Sequence, residues 1–376
     1  MGQVDVKLFG PAYDVSGISQ CVREIALALY DNGVNVQLMD MADFSPVKPP
    51  LKPDVDQKIK IMQNNRLFNP YVFIHFYPLD RFKGQLDKDA KANIFWSMYE
   101  TDRIPYYWKL LLNNEGMKEV WVPSEFNKET YIKSKVNREK ISVVNLGVDL
   151  EKYSPDNQPL EFKDDNNFYF SFISELKWCK GYDVLLRAFY EEFANEPKAK
   201  LLFKCTSSSD PNHIKQVSQV IGQYKGRSNA EVQLMYGSQS EEWMTRLYKT
   251  ADCFVLPTRG EGWGLGIIQS MASGVVPLVT NCSAQTEYVT KENSLLIDAP
   301  AEKIHNIDWL RQVPVQNEHW WFEPSFMQLK KKMRWAFENK DKLKTKGEQA
   351  RKDAEKFSWF NTAVQVVKNL EKYAVK

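Results

Sequence analysis

The sequence predicts an α/β protein with two domains, each built from a parallel β-sheet covered by helices. The chain has 376 residues, which is more than one hydrophobic core usually serves. Short β-branched or aromatic runs alternate with segments of helical apolar spacing, as expected for parallel sheets with crossover helices. This alternation stops at EKYSPDNQPLEFKDDN (151–166) and then starts again. We therefore expect an N-terminal domain over 1–155, a C-terminal domain over 165–355 and a final helical segment over 356–376.

The N-terminal half contains six short apolar runs that predict strands: VDVKLF, VNVQLM, PYVFIHFY, ANIFWSMY, KEVWVPS and KISVVN. A helix is expected over 16–33, with Ser16 near its start and Gly33 after its last turn. Further helical stretches are expected near 105–113 and 125–135. In open parallel sheets, ligands bind beyond the carboxyl ends of the strands. We therefore expect the functional residues of this half on the loops that follow these strands.

The C-terminal half repeats the pattern with six more predicted strands: FYFSFI, AKLLFKC, EVQLMYG, DCFVLP, VPLVT and SLLI. Helices are expected near 182–194, 211–224, 240–250 and 265–273. The last segment, 357–373, is also predicted to be helical, and its spacing places five apolar residues on one face, namely Phe360, Ala363, Val364, Val367 and Leu370.

Composition excludes several classes of protein. The 50 basic and 48 acidic side chains leave a net charge of +2, too balanced for a charge-driven nucleic-acid binder. Five widely spaced cysteines form no CxxC pair, which argues against a disulfide framework or zinc site and favours a reducing, cytoplasmic location. No run of 18 apolar residues occurs, so no transmembrane segment is predicted.

The segment RGEGWGLGIIQSMASG (259–274) directly follows the predicted strand DCFVLP. Glycine at 264 and 266 would leave backbone N–H groups accessible at the start of a helix near Leu265, where a diphosphate can bind. Glu261 then lies on the loop, and Gln269 lies one turn into the helix. A tight turn with glycines used only for packing explains the spacing equally well. Neither the dinucleotide fingerprint nor the P-loop pattern is present.

Together with other segments in the same order, this stretch resembles the retaining GT-B glycosyltransferases of glycosyltransferase family 4. Those segments are GPAYDVSGIS, YETDRIPYYW, VWVPSEFNKET, NLGVDLEKYSP, KGYDVLLRAFYEEF and FSW. The resemblance implies two Rossmann-like domains facing across a cleft, with the C-terminal helix of 356–376 packing back on the N-terminal domain. It also implies a nucleotide-sugar donor, UDP- or GDP-linked. It also implies a saccharide or small-molecule acceptor and no metal or other cofactor.

By this resemblance, Glu261 contacts the hydroxyl groups of the donor sugar and Lys180 binds the phosphates. Gln269 occupies the position at which the family has a ribose-binding glutamate, and Gly266 replaces a frequent proline. The family's second basic residue, an arginine, is absent from its usual place, and Lys177 is the candidate substitute. Gln269 replaces a charge-assisted hydrogen bond by a neutral one, a loss on the order of 1 kcal/mol.

Four further positions are candidates by location. Gly17 opens the first long helix, where the family's glycine-containing loop meets the donor or the acceptor. His75 ends a predicted strand, although a lone histidine is more often structural. Glu100 could position or deprotonate the acceptor hydroxyl, or be held in an ion pair by its neighbours Asp102 and Arg103. Arg259 lies on a second-domain loop beside the expected donor, as do two candidates of lower rank, Thr258 and Glu287.

One acidic pair is set aside, because Asp54-Val55-Asp56 resembles a metal-binding DxD but falls in a proline-rich segment that we expect to be a loop. Three alternatives to the main interpretation stay open. Gln269 and the missing arginine would also fit a sugar-nucleotide-binding protein with weakened or lost transfer activity. A nucleic-acid acceptor is disfavoured by the charge balance. A lipid-linked acceptor would require peripheral membrane contact, for which 106–121 is the candidate segment, although a buried helix explains it more simply.

Overall fold

A computed structural model describes residues 4–41, 51–82, 84, 86–206, 211–224, 228–304 and 319–374. The chain divides into two compact units: the first contains the chain up to Gly147 together with the segment from Phe357 onward, and the second is Val148–Lys356. Each unit holds one six-stranded sheet. The predicted two-domain α/β architecture is therefore confirmed.

The sheet of the first unit is parallel throughout, with strand order β2-β1-β3-β4-β5-β6. Its strands are β1 (Asp5–Gly10), β2 (Val36–Asp40), β3 (Tyr71–His75), β4 (Ala92–Trp96), β5 (Met117–Val122) and β6 (Ile141–Val143). Helices of this unit are α1 (Gly17–Asp31), α2 (Pro53–Asn64), α3 (Tyr106–Leu112), α4 (Glu125–Lys133) and a C-terminal helix, Trp359–Leu370. Central strands such as β4 are buried on both faces, which is why they occur in the sequence as continuous apolar runs.

Helix α2 corrects the expectation of a loop around Asp54-Val55-Asp56. Pro53 stands at its first position and both aspartates lie in its first turn. Proline is tolerated there because the first N–H of a helix has no partner in the helix, and acidic side chains stabilise the positive end of the helix dipole. The two aspartates are therefore explained by helix formation.

The C-terminal helix is oriented differently from the prediction. Trp359, Thr362, Ala363, Val366 and Leu370 are its buried residues, whereas Phe360, Val364 and Val367 are 59%, 48% and 39% exposed. Apolar residues occur all around WFNTAVQVV, so periodicity alone could not select the buried face. The helix packs on α1, with Trp359 on its buried face.

Glu119 anchors the residues that follow this helix. It is a buried carboxylate on β5 that accepts hydrogen bonds from the indole of Trp121 and from the hydroxyl of Tyr373. The ammonium group of Lys372 lies 2.8 Å from the same carboxylate. The end of the described chain is thus fixed to the sheet of the first unit.

The second unit repeats the arrangement, with strand order β12-β11-β10-β7-β8-β9. The strands of this sheet are β7 (Phe168–Glu175), β8 (Ala199–Thr206), β9 (Glu231–Tyr236), β10 (Cys253–Leu256), β11 (Val276–Thr280) and β12 (Leu295–Ile297). An unpredicted antiparallel pair follows, β13 (Ala301–Lys303) and β14 (Trp320–Phe322). The helices are α5 (Tyr182–Glu192), α6 (Pro211–Tyr224), α7 (Glu241–Thr250), α8 (Leu265–Ala272), α9 (Phe326–Glu338) and α10 (Lys340–Ala354), and the C-terminal helix of the first unit becomes α11.

The segment expected to be a linker, 151–166, packs against the second unit. Leu160 is 3% exposed and joins Tyr169, Leu202 and Leu247 in an apolar cluster. Its backbone N–H also donates to the Thr250 hydroxyl at 2.8 Å. In the described ranges, no helix is long and apolar enough to cross a membrane.

Candidate functional site

Two loops meet at the carboxyl edge of the second sheet, one after β7 and one after β10. The first forms a single 3-10 turn, Trp178–Lys180, which ends at Gly181. Gly181 has a φ of +67°, and a Cβ atom there would lie 1.9 Å from the carbonyl oxygen of Pro257. Only glycine fits this left-handed position and close approach. The close approach places Lys180 beside the loop that carries Glu261.

Lys180 and Glu261 form an ion pair at the centre of the site. The ammonium nitrogen lies 2.7 Å from the carboxylate, and the two side chains are 14% and 7% exposed. The backbone N–H of Glu261 donates to the hydroxyl of Ser283 at 3.0 Å, which fixes the loop from the other side. The structure thus brings together the two residues to which the sequence assigned the main chemical roles.

Ser283 is a residue that sequence reasoning missed. Its backbone has φ +51° and ψ −153°, a region that is essentially restricted to glycine. Its hydroxyl donates to Gln285 Oε1 at 2.8 Å while accepting from Glu261. Such strain persists only where surrounding contacts hold it, and it clusters at functional sites. No signal in the local sequence identifies this conformation.

The start of α8 has the geometry that the glycine pattern predicts. Gly264 precedes the helix with φ +92°, and a Cβ atom there would lie 2.7 Å from the hydroxyl oxygen of Tyr288. That hydroxyl lies 2.6 Å from the carbonyl oxygen of Trp263 and 3.0 Å from that of Gly264. The backbone N–H groups of Leu265 and Gly266 have no hydrogen-bond partner in the part of the chain that the structure describes. A half-buried helix start with free donors is a suitable site for an anion.

Gln269 lies one turn further along α8 and is only 6% exposed. Its Oε1 atom accepts a hydrogen bond from the hydroxyl of Tyr248 at 3.0 Å. Burial raises the pKa of Tyr248 well above its usual value, so the tyrosine remains a neutral donor. The amide of Gln269 is thus bonded to α7, and its expected contact with a ribose stays a prediction.

Arg259 is held differently from the prediction of a donor-binding residue. Its Nη atoms contact both oxygens of Asp183 at 2.9 Å, and Glu323 is held at 2.6 and 2.8 Å. A fifth bond goes to the carbonyl oxygen of Trp178. Because these contacts occupy all five guanidinium N–H groups, Arg259 braces the loop around Glu261, and its contact with the donor stays a prediction.

Lys177 lies at the surface and pairs with Glu175 at 2.6 Å, the two side chains being 45% and 40% exposed. Burial opposes ionisation of Glu175, but the positive charges of Lys177 and Lys180 hold its pKa below the usual value. The charge of Lys177 is therefore already balanced in this arrangement. Its role as a second phosphate ligand stays a prediction.

The two lower-ranked candidates lie on the same loops. Thr258 is fully buried, and its hydroxyl lies 2.7 Å from the carbonyl oxygen of Cys179 and 2.8 Å from that of Gly260. It therefore stabilises the approach of the two loops. Glu287 is half-buried at the end of a short turn, Ala284–Glu287.

His75 is at the carboxyl end of β3 in the first unit, as predicted, but its side chain is fully buried. The imidazole stacks against Phe95 and lies 4.0 Å, centroid to centroid, from Phe73. Burial lowers its pKa to about 4. A neutral histidine enclosed by aromatic rings has the surroundings of a core residue, and its catalytic role stays a prediction.

Glu100 follows β4 and is half-buried. Asp102 forms ion pairs with Lys133 and with Arg103 at 3.7 Å. Within the described ranges, Glu100 itself has no ion pair or hydrogen bond. The alternative in which its neighbours neutralise it is therefore not observed, and its carboxylate remains available for the predicted role.

Gly17 is exposed and is the first residue of α1. Ser16 caps the helix by accepting a hydrogen bond from the N–H of Ser19 at 3.1 Å. Across the described residues, the N–H groups of Gly17 and Ile18 form no hydrogen bond. A second helix start with free donors thus lies in the first unit.

No group of three or more histidine, cysteine, aspartate or glutamate side chains that could hold a metal ion occurs among the residues that the structure describes.

A family profile and two curated relatives match part of the chain. The family profile described as "Glycosyl transferases group 1" matches residues 155–313. Mannosylfructose-phosphate synthase of Agrobacterium fabrum is 31% identical over 112 residues, which are 29% of this chain and 24% of that protein. D-inositol 3-phosphate glycosyltransferase of Corynebacterium glutamicum is 27% identical over 174 residues, 43% of this chain and 40% of that protein. The chain thus spans less than half the length of these relatives.

Similarity to solved structures extends over the whole chain. Anabaena HepE in complex with UDP and glucose has a TM-score of 0.71 at 15% identity, covering 98% of this chain and 100% of that one. Sucrose-phosphate synthase from Thermosynechococcus elongatus has a TM-score of 0.67 at 15% identity, covering 99% of each chain. At this identity the likeness shows the fold, which is GT-B. The family profile thus matches part of the second unit and the GT-B fold extends over the chain, and both findings agree with the glycosyltransferase family that its motifs resemble.

Proposed function

We propose that the protein is a retaining, metal-independent glycosyltransferase that moves a sugar from a nucleotide-sugar donor to a saccharide or small-molecule acceptor. One observation carries the proposal: the Lys180–Glu261 ion pair lies on the loops that lead to the unpaired N–H groups at the start of α8. Glycosyl transfer produces a diphosphate leaving group, and a cation with oriented N–H donors stabilises such a group.

The donor contacts follow from the chemistry of each group. The ammonium of Lys180 and the N–H groups of Leu265 and Gly266 suit the diphosphate. The carboxylate of Glu261 can accept hydrogen bonds from two sugar hydroxyls, and Gln269 is the candidate for the ribose. The solved complexes of Anabaena HepE contain UDP, UDP and glucose, or UDP-glucose, so a UDP-sugar is the first donor to test and a GDP-sugar the second.

Retention of configuration is proposed to proceed by attack from the face that the leaving group occupies. Glu261 is held by the ammonium of Lys180, and a carboxylate in such a pair is a poor nucleophile. The acceptor proton then passes to the departing diphosphate. In the first unit, the unpaired carboxylate of Glu100 is proposed to orient the acceptor hydroxyl, and the start of α1 at Gly17 to contribute further N–H donors.

The acceptor is proposed to be a small polyhydroxylated molecule. One relative is named for D-inositol 3-phosphate and another for a phosphorylated disaccharide product, mannosylfructose-phosphate. A phosphorylated sugar or cyclitol is therefore the first class of acceptor to test.

The protein itself is proposed to act in the cytoplasm.

Thermal unfolding in the presence of UDP-, GDP-, ADP- and CMP-sugars tests donor binding. A ligand at 100 times its Kd stabilises the folded state by about 2.7 kcal/mol. We expect a selective increase in Tm with one nucleotide, lost in Lys180→Met and Glu261→Gln. Lys200→Met is the matched control, because Lys200 also pairs with a glutamate, Glu231, at 2.6 Å on a strand of the same sheet.

Transfer is then measured with the selected donor and a panel of sugar phosphates, and NMR gives the anomeric configuration of the product. An inverted product would refute the retaining mechanism, and the absence of any shift in Tm would refute donor binding. Binding without transfer would favour the alternative of a sugar-nucleotide-binding protein. The neutral contact between Gln269 and Tyr248 makes Gln269→Glu the variant to examine in that case.

A further inference from the structure

Lys204 is a lysine inside the second unit, and no carboxylate of the described residues lies beside its charge. The residue lies on β8, is 2% exposed, and its ammonium donates to the carbonyl oxygens of Gly237 at 2.5 Å and Cys205 at 3.3 Å. Among the residues that the structure describes, no acidic side chain contacts it. Burial lowers its pKa.

Such an arrangement is costly to the folded protein. A buried ammonium loses its hydration, and two carbonyl dipoles compensate for this less well than a carboxylate does. Charged groups that persist in these conditions are often functional. The position of Lys204 therefore needs an explanation beyond packing.

Register places the backbone of Lys204 next to the strand that approaches the start of α8. Ile173 on β7 is its partner in the parallel ladder, and paired residues of adjacent strands project to the same face of a sheet. The carbonyl oxygen of Ile173 lies 3.4 Å from the position that a Cβ atom on Gly266 would take. Lys204 is thus one strand away from the N–H groups proposed to bind the diphosphate.

The other cations at this edge are already balanced by carboxylates. Lys180 pairs with Glu261, Lys177 with Glu175, and Arg259 with Asp183 and Glu323. In the described part of this edge, Lys204 is the cation that lacks a carboxylate. A diphosphate that binds there would supply the missing negative charge.

We propose that Lys204 is a second cation of the donor site. It attracts the diphosphate through the low-dielectric interior, and it positions the turn after β9 through the carbonyl oxygen of Gly237, a residue with φ +94°. The inference rests on the proposed function and deepens it, because it assigns to the donor site an ammonium group that acts on the diphosphate without contacting it. Lys204 is accordingly a positioning residue.

The test measures how affinity depends on ligand charge. Kd values for uridine, UMP and UDP are compared in the wild type, Lys204→Met, Lys204→Gln and Lys204→Arg by isothermal titration calorimetry. We expect Lys204→Met and Lys204→Gln to weaken UDP binding about tenfold and UMP binding less, while uridine binding is unchanged. Lys204→Arg keeps the charge and should stay within about threefold of the wild type.

Lys200→Met is the control, since it removes the same charge from the same strand about 13 Å away and should leave all three Kd values unchanged. An equal loss for uridine, UMP and UDP would mean that Lys204 only supports the loop, and an unchanged UDP affinity would mean that its charge does not reach the ligand. Either result overturns the proposal. If the wild type binds neither the uridine series nor the corresponding guanosine series, the proposed function itself fails.

Discussion

A double-mutant cycle on Lys180 and Glu261 tests whether this ion pair is the buried centre of the site. The three variants are Lys180→Met, Glu261→Gln and the combination of both. Lys180→Met leaves a carboxylate without its cation inside the protein. Glu261→Gln leaves an ammonium that retains more contact with water, because the Lys180 side chain is 14% exposed and that of Glu261 only 7%. We therefore expect the two single substitutions to differ in their effect on stability.

The expected loss of stability in each variant follows from the burial of the ion pair. Breaking a fully buried ion pair costs about 3–5 kcal/mol, whereas an exposed pair contributes about 0–1 kcal/mol. The exposures place this pair nearer the buried limit, so we expect a loss of about 2–3 kcal/mol for Lys180→Met and about 1 kcal/mol for Glu261→Gln. The double variant leaves no unpaired charge, and its loss should be smaller than the sum by about 2 kcal/mol.

Thermal unfolding followed by circular dichroism measures these values. For a domain of about 200 residues, 1 kcal/mol corresponds to about 2–4 °C in Tm, so Lys180→Met should lower Tm by about 5–10 °C. The control cycle uses Lys200 and Glu231, a pair of similar length with exposures of 22% and 58%. Its coupling should be below about 1 kcal/mol.

Additive effects of Lys180→Met and Glu261→Gln, like those of the control pair, would refute the reasoning. Measuring donor binding distinguishes a loss of function from a loss of stability. The double variant should regain much of its stability and still fail to bind the nucleotide-sugar, because both groups proposed to contact the donor are gone. A stable double variant with wild-type donor affinity would contradict the assignment of the site.

Three further predictions concern the surroundings of the site and the first unit. Gly181→Ala would force a Cβ atom to 1.9 Å from the carbonyl oxygen of Pro257, so it should lower Tm and weaken donor binding, both measured by titrated thermal unfolding. His75 has a pKa lowered from 6.5 to about 4 by burial, so the folded state loses up to about 3 kcal/mol as the pH falls from about 6.5 to 4. A flatter pH dependence of Tm in His75→Phe would confirm this, and an unchanged slope would contradict it. Glu119→Gln should release the segment around Lys372 and Tyr373, detected as faster amide exchange there; protection equal to wild type would exclude the anchoring role.

The strands could be predicted from the sequence because most of them are largely buried. Strands of a parallel sheet covered on both faces appear as continuous apolar runs, and all twelve predicted runs contain an observed strand. The polar helix α2 was missed, since PDVDQKIKIMQN has a weak apolar pattern and begins with a proline. The pair β13 and β14 was missed because strands of three residues carry no measurable periodicity.

Within the site, local motifs in the sequence identified several of the loop residues but not the side chains that these residues contact. The glycine pattern placed the start of α8 and the loop carrying Glu261 correctly, because positive φ angles and close approaches require glycine. The partners of Arg259, Asp183 and Glu323, lie 76 and 64 residues away in the chain, and no local pattern indicates them. The burial of His75 likewise involves a ring from another strand, that of Phe95 on β4.

The surroundings of Gln269 in the structure explain why this position departs from the glutamate of the family motif. In the sequence it stands where the family has a glutamate, which suggests weakened binding. In the fold, its amide is 6% exposed and accepts the hydroxyl hydrogen of a neutral tyrosine, Tyr248. A carboxylate at this position would lose nearly all of its hydration, which is a larger loss for a charged group than for a neutral amide. Because an amide avoids that cost, glutamine at this position is accounted for by the stability of the folded chain and is not by itself evidence that activity has been lost.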